Sequence, residues 1–373
     1  MRSFTLENMA ASVDRQTIHM DQGVTYNPEY LASGSMRFYP SRIAQVARAV
    51  WKGELEATEY GADTVFTPIL SGLGERWQNF GEDRNEYLLV SLLFRELFVQ
   101  KGFKKDAAEA LRQTVRQNGG HILPVEGEAR TRWEAFLPAS DDSAVCLLVD
   151  DATLAYASGC AYELGAFLKK KGVSVRKDFG PFFVGFEYFA AGLIDEGIAH
   201  LRALVEKLEQ DGVHTVITLS GQSQYALTTL CAALGISHSL RVKHVLEYAD
   251  ELAIERAYLL PGSFCCRYLP QVLKKIDALT ASEGERRVKN SKEFLPLVEN
   301  GRRVNLPNMW LAPLCAEYVP FGGDEAVSKG ILENGIREIR RDGYSQLVVF
   351  DPFAFRAAQE AGLKPVYYLS LIG

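Results

Sequence analysis

The residues of this chain best suited to chemistry are its six cysteines, which are irregularly spaced. A thiolate can act as nucleophile, redox partner or soft metal ligand when it lies in an accessible, electropositive setting. Cys146 lies within the apolar run VCLLV and Cys231 within an apolar helical stretch, so both read as core. That leaves Cys160, Cys265, Cys266 and Cys315 as candidate catalytic thiols, with Arg267 the nearest cationic side chain. Ordinary burial is the competing account for all four. Glu56, Glu59 and Asp63 recur at helical spacing and could hold a hard cation, against the simpler reading of a solvated acidic face. The six histidines include no His-Glu-x-x-His and no paired zinc spacing. Phe321-Gly322-Gly323-Asp324 lacks the phosphate-binding spacing that follows a strand and opens a helix. Ser220 and Ser223 stand at a strand-to-helix turn, the place of a nucleophile elbow, but Gly-x-Ser-x-Gly is absent. Ser220 is therefore expected to cap a helix, and Asp351 to do the same at a matching turn.

The match between those two turns is part of a longer one. Glu206 to Leu227 and Arg337 to Ala358 share a rhythm in which Asp211-Gly212 recurs as Asp342-Gly343, Ser220 as Asp351 and Gly192 as Gly323, all at one offset. Each stretch predicts an amphipathic helix ending at Asp-Gly, a short β-branched strand, and a turn into the next helix. Such internal repetition implies a pseudo-symmetric body with a ligand site between its halves.

Elements elsewhere follow from periodicity. Up to about residue 140 the pattern is helical: Ser41 to Trp51 sets Ile43, Val46, Ala47 and Val50 on one face, and Glu86 to Val99 and Lys105 to Gln117 follow. Asn118-Gly119-Gly120 and Pro124 to Arg130 read as a connection. From Val145 the period changes. Val145 to Val149 reads as a buried strand, Tyr162 to Lys171 as a helix, and Val173 to Val175 as the next strand; alternation of this kind predicts a parallel sheet covered on both faces. Ala281 to Arg303 is polar and reads as a surface excursion.

Composition narrows the function classes. The chain of 373 residues is 47% hydrophobic and 24% charged, ordinary for a globular protein of two or three domains. A net charge of −6 offers no basic stripe for nucleic acid. No apolar run approaches the roughly 20 residues of a membrane span, no signal peptide is visible, and the cysteines do not form a secreted disulfide framework. The implied location is cytoplasmic, with peripheral docking to a membrane complex left open.

The C-terminal two-thirds resembles the duplicated cysteine-rich domain of heterodisulfide reductase catalytic subunits and related iron–sulfur subunits. Those proteins carry a lone Cys, then Cys-Cys-Gly, then Cys-Pro-x-Cys in each copy. Here Ser158-Gly159-Cys160 matches the lone-Cys element and keeps the thiol. Phe183-Val184-Gly185 stands at Cys-Cys-Gly, and Ser220-Gly221-Gln222-Ser223 at Cys-Pro-x-Cys. In the second copy Gly262 takes the lone cysteine's place, with Cys265-Cys266 close by. Leu314-Cys315-Ala316 stands at Cys-Cys-Gly and Asp351-Pro352-Phe353-Ala354 at Cys-Pro-x-Cys. The N-terminal third resembles the family's two-cluster ferredoxin module. Its ligand spacing falls on Met20, Gly23, Tyr26 and Tyr30, then on Gly53, Glu56, Glu59 and Asp63.

The resemblance implies three parts: a helical ferredoxin-like domain over 1–140, then α/β repeats with parallel sheets over 141–255 and 256–373. It also implies that the cluster positions are vacated, because iron–sulfur clusters need thiolates that neither ferredoxin slot retains. No iron–sulfur cluster or other cofactor is expected. The expected role is a structural or regulatory subunit of a redox complex, partnered by flavin or iron–sulfur proteins, a cluster-bearing paralogue among them. An oxidoreductase using the residual cysteines between the repeats is the alternative. A small-molecule sensor in the vacated cavities is a third, opposed by the aromatic replacements Phe182, Phe183, Phe186 and Phe353.

Overall fold

The computed structural model describes residues 2–17, 27–68, 70, 86–125, 127–180, 182–254, 256–280, 297–299, 302–303, 322–341 and 346–373. Described helices run α1 Ala10–Thr17, α2 Pro28–Ser33, α3 Pro40–Trp51, α4 Glu59–Phe66, α5 Glu86–Gln100, α6 Lys105–Gln117 and α7 Gly127–Phe136. Proline opens α3, where its missing N–H costs nothing, and Ile43, Ala44, Ala47 and Val50 form its buried face. Helix α5 is buried nearly all round, from Tyr87 through Glu96, as expected of a helix at the centre of its layer. Among the described residues, strands enter only with β1 (Val145–Leu148). Helix α7 lies partly where the sequence predicted a plain connection, because Ala129 and Trp133 bury against the core.

After β1 come α8 Asp151–Tyr156, α9 Ala161–Lys170, α10 Phe186–Ala190 and α11 Ile194–Gln210. Next are β2 Thr215–Thr218, α12 Gly221–Tyr225, a π-turn at Ala226–Leu230, α13 Cys231–Leu234 and β3 Arg241–His244. The three strands form a parallel sheet in the order β1-β2-β3. The predicted strand at Val173 to Val175 does not form: Val175 makes an isolated bridge to Ala139 and its segment runs along the edge of β1.

The second sheet begins with β4 Ala257–Leu260, followed by α14 Pro270–Thr280, β5 Leu297–Glu299, β6 Arg302–Arg303, α15 Glu325–Arg341, β7 Leu347–Val349, α16 Pro352–Glu360 and β8 Pro365–Tyr367. Its order is β6-β5-β4-β7-β8. The β4-β7-β8 part is parallel, whereas β5 and β6 add an antiparallel hairpin on the β4 edge, which the sequence pattern missed. The architecture is a mixed α/β fold. Both sheets follow one order: a long amphipathic helix (α11 or α15), a central strand (β2 or β7), a capped helix (α12 or α16), an outer strand (β3 or β8) and a 3-10 turn.

The polar chain of Tyr368, just after β8, joins the two sheets: its hydroxyl donates to Leu219 O at 2.6 Å, just beyond β2. Its ring stacks on Phe350 and His244, with centroids 4.8 and 6.0 Å away. The backbone then returns to pair Leu252 with Ile372. A continuous apolar core runs from Phe4 through both sheets to Leu369. A small satellite core of Ala108, Leu111, Val115, Phe183, Ala191 and Leu193 holds α6 against the turn between α10 and α11. Among the described residues, no helix is long and apolar enough to cross a membrane.

Candidate functional site

The C-terminal ends of β1 and β2 carry a buried polar cluster, the place where parallel α/β sheets present side chains to ligands. Asp150 follows β1 and caps α8, accepting the Thr153 N–H at 2.8 Å through Oδ1. Its Oδ2 accepts both the Ser220 hydroxyl at 2.8 Å and the Ser223 hydroxyl at 3.1 Å. Ser220 Oγ in turn takes the Ser223 N–H at 3.2 Å, capping α12. At the matching turn of the second sheet, Asp351 Oδ1 accepts the Ala354 N–H at 2.9 Å and caps α16. Ser220, Ser223 and Asp351 are all buried. Their oxygens satisfy backbone and side-chain donors that would otherwise stand orphaned at a helix start.

Two more carboxyls adjoin Asp150. Asp151 accepts the Ile122 N–H at 2.8 Å and its neighbour's N–H, from Ala152, at 3.0 Å. Glu187, on α10, accepts the Gln222 side-chain amide at 2.8 Å through Oε1, while its buried Oε2 has no hydrogen-bond partner. Burial pushes Asp151 well above the usual carboxylate range, and the charges of Glu187 and Asp150 push the same way. Burial likewise raises Glu187 to about 6, against the opposing pull of the Gln222 bond. His121 Nδ1 lies 4.0 Å from Asp151 Oδ2, and burial with the nearby His200 holds its imidazole below the ordinary value. Sequence reasoning singled out none of Asp150, Asp151, Glu187 or His121. The visible signal was an Asp-Asp pair at the end of a predicted strand. Glu187 gave none, because its neighbours come from distant segments.

The residual thiols sit deep. Cys160 is buried with Sγ 3.9 Å from Ser370 Oγ, and burial pushes it up to about 11, partly offset by that contact. Cys265 and Cys266 lie on a π-turn, Phe264–Tyr268, and Cys265 is buried against Gly221: a Cβ built there would stand 2.7 Å from its Sγ. Both Cys160 and Cys265 neighbour Tyr368, so the fold brings these two candidates to the same junction. Cys315 and Leu314 lie outside the described residues. Cys146 and Cys231 are core thiols, each pushed up by burial to about 12.

Of the remaining sequence candidates, Phe183 and Val184 are buried, Phe183 in the satellite core and Val184 in the main one. Gly262 opens its turn at φ +82, a conformation that favours glycine, and Ala354 is core. Phe182 and Phe186 are buried, while Phe353 is only half-buried against Tyr156. Met20, Gly23 and Tyr26 lie outside the described residues. Tyr30 sits on α2, its N–H held by Asn27, and Gly53 turns the chain after α3 at φ +74.

The carboxylate trio does not share a helix. Glu56 precedes the Thr58 cap of α4 and is exposed, whereas Glu59 and Asp63 converge on Lys104 Nζ at 2.7 and 2.5 Å. Lys104 is held in the left-handed region at φ 56, so the cation of this acidic face is a side chain of the chain itself. Among the described residues, no group of three or more His, Cys, Asp or Glu side chains is placed to hold a metal ion.

Comparison with known families, characterised proteins and solved structures finds no match to this chain.

Proposed function

We propose that this protein is a cluster-free relative of the heterodisulfide reductase type, a helical domain followed by two α/β repeats, working as a structural or regulatory subunit of a redox complex. The observation that carries this reading is the pair Ser220 and Ser223. They occupy the slot where the family places two cluster cysteines, and both hydroxyls are committed to the buried carboxyl of Asp150. The equivalent Asp351 is committed to capping α16. Hard, internally bonded oxygens at these turns replace the soft thiolates an iron–sulfur cluster needs. Partners would be flavin or iron–sulfur proteins, bound in the cytoplasm or beside a membrane complex. Anaerobic purification followed by iron and acid-labile sulfide determination tests it. The expected result is far less than one iron per chain; stoichiometric iron and sulfide would overturn the reading, and copurified redox subunits would identify the partner.

A second reading, thiol or disulfide chemistry between the repeats, is favoured by one observation: Cys160 and Cys265 share Tyr368 as a neighbour. The raised Cys160 thiol opposes it, because the thiolate is the reactive form. Labelling of the native protein at pH 7 should therefore be slow at Cys160 and reach unfolded-state rates only in denaturant. Rapid native labelling at Cys160 or Cys265 would favour the enzyme.

A further inference from the structure

Cys265 and Cys266 are the one adjacent pair of cysteines in the sequence, and the fold gives them unequal settings. Cys265 is buried against the start of α12: a Cβ built at Gly221 would stand 2.7 Å from its Sγ and 3.0 Å from Phe264 Cβ. Cys266, the next residue, is half-exposed. Both occur as thiols. The element that carries them is the single π-turn Phe264–Tyr268, closed by the Leu269 N–H donating to Phe264 O at 3.0 Å. Such turns are rare in helices and recur at functional sites. Gly262 precedes this one at φ +82, and Pro270, which has no N–H, follows it.

A one-turn element gains little from its own hydrogen bonds and is held by what packs on it. Here that packing is aromatic. The Phe264 ring centroid lies 4.9 Å from Tyr225 and 5.2 Å from Phe186, and Tyr268 lies 5.3 Å from Tyr225. Tyr225 ends α12 and Phe186 opens α10, so a turn that follows β4 of the second sheet is seated on helices of the first. Successive side chains of a helical turn do not face each other. A disulfide needs Cβ atoms about 3.5–4.5 Å apart. Joining the two sulfurs and keeping the turn closed therefore exclude one another.

We propose that Cys265 and Cys266 form an oxidative modification site, a vicinal dithiol whose disulfide releases the π-turn from α12. A small-molecule disulfide such as oxidised glutathione is the oxidant. Half-exposed Cys266 loses its proton and its thiolate attacks one sulfur of that disulfide, breaking the S–S bond. A mixed disulfide forms and the first small thiolate leaves, taking up a proton. Cys265, reached when the turn opens, loses its proton and attacks the Cys266 sulfur, and the second small thiolate leaves and is protonated. Two protein thiols are oxidised and one small disulfide is reduced to two thiols, with no other reactant. The contacts that hold the turn shut oppose the disulfide to the same extent that the disulfide opposes them. The site differs from a Cys160–Cys265 pairing and is independent of whether the cluster slots are vacant.

The test incubates the native full chain with oxidised glutathione, quenches with acid, alkylates the remaining thiols and cleaves with trypsin. Cleavage after Arg256 and Arg267 places both cysteines in one peptide, Ala257 to Arg267, with no other thiol in it. The expected product is that peptide two hydrogens lighter than its reduced form, carrying neither alkyl group nor glutathione. Amide exchange of the oxidised protein should quicken at Leu269 and across α12, while Cys146 to Leu148 in β1 stay protected. Cys266→Ser should abolish the internal link. Gly221→Ala presses a methyl group onto Cys265 Sγ and should speed the link by roughly fivefold or more, with β1 protection reporting that the variant is folded. A glutathione adduct at Cys266 that never closes, an unreactive pair, a link that leaves Leu269 protected, or an unchanged rate in folded Gly221→Ala would each overturn the proposal.

Discussion

Asp150→Ala is expected to destabilise the protein by about 2–4 kcal/mol, from two stranded donors at roughly 1–3 kcal/mol each less what water entry recovers, because the Ser220 hydroxyl can turn to Ser223 Oγ, 3.0 Å away. The Thr153 N–H loses the cap of α8, and the Ser220 and Ser223 hydroxyls lose their common acceptor. The damage falls on β1 and β2 together, because Ser220 starts the helix that follows β2 while Asp150 ends β1. It also approaches the second sheet, since Gly221 in that helix start lies against Cys265. Asp150→Asn should cost only about 1–2 kcal/mol, because the amide keeps one acceptor and its NH2 can donate to the two hydroxyls. Urea unfolding measures both: the midpoint should drop in that order with the slope unchanged. A loss below about 1 kcal/mol in the alanine variant would mean that the network does not hold the sheet ends together.

The other large effect is expected at Arg95, on a different part of the chain. This fully buried guanidinium donates to Ala190 O at 2.7 Å, Pro68 O at 2.5 Å and Phe66 O at 3.2 Å. It thereby ties central helix α5 to the end of α4 and to the end of α10. Burial pushes it down to about 9, still above neutral pH, so Arg95 remains charged there and no pH dependence is expected from it below that value. The close fit extends to the backbone: a Cβ at Gly192 would meet Arg95 C and O at 2.8 Å, and Gly192 adopts φ +75. Arg95→Met keeps much of the apolar stem but leaves three buried carbonyls without donors. A loss of about 3–5 kcal/mol follows from breaking a buried charged network on one side only. Arg95→Lys should recover part of it, since an ammonium lacks the planar fork that reaches several carbonyls at once. Thermal unfolding would show the order wild type, lysine, methionine; equal midpoints would refute the latch.

Much of the fold was readable from local pattern. The period-3.6 stripe of Ile43, Ala47 and Val50 gave α3, and the Gly212 at the end of α11, with φ +74, marked a helix stop. Ser220 and Asp351 were expected as caps because each offers an oxygen just ahead of a helix, and each accepts the N–H three residues on. What local pattern could not give was competition for edges. Val173 to Val175 has strand composition, yet its segment meets β1 only at an edge and makes a single bridge at Ala139. Glu56 shares helical spacing with Glu59 but falls before the Thr58 cap, so spacing alone misassigned it.

The candidate site divides in the same way. Residue type and spacing by themselves determined that Ser220 and Asp351 would cap helices and where β1, β2, β7 and most of the long helices lie. Those properties depend on neighbours a few residues apart. Only the tertiary structure decided that Asp150, Asp151, Glu187 and His121 meet, that Lys104 serves Glu59 and Asp63, and that Cys160 is too buried to ionise readily. The reason is physical: a carboxyl's behaviour is set by the water it loses and the charges it faces, and both are supplied by segments distant in the chain.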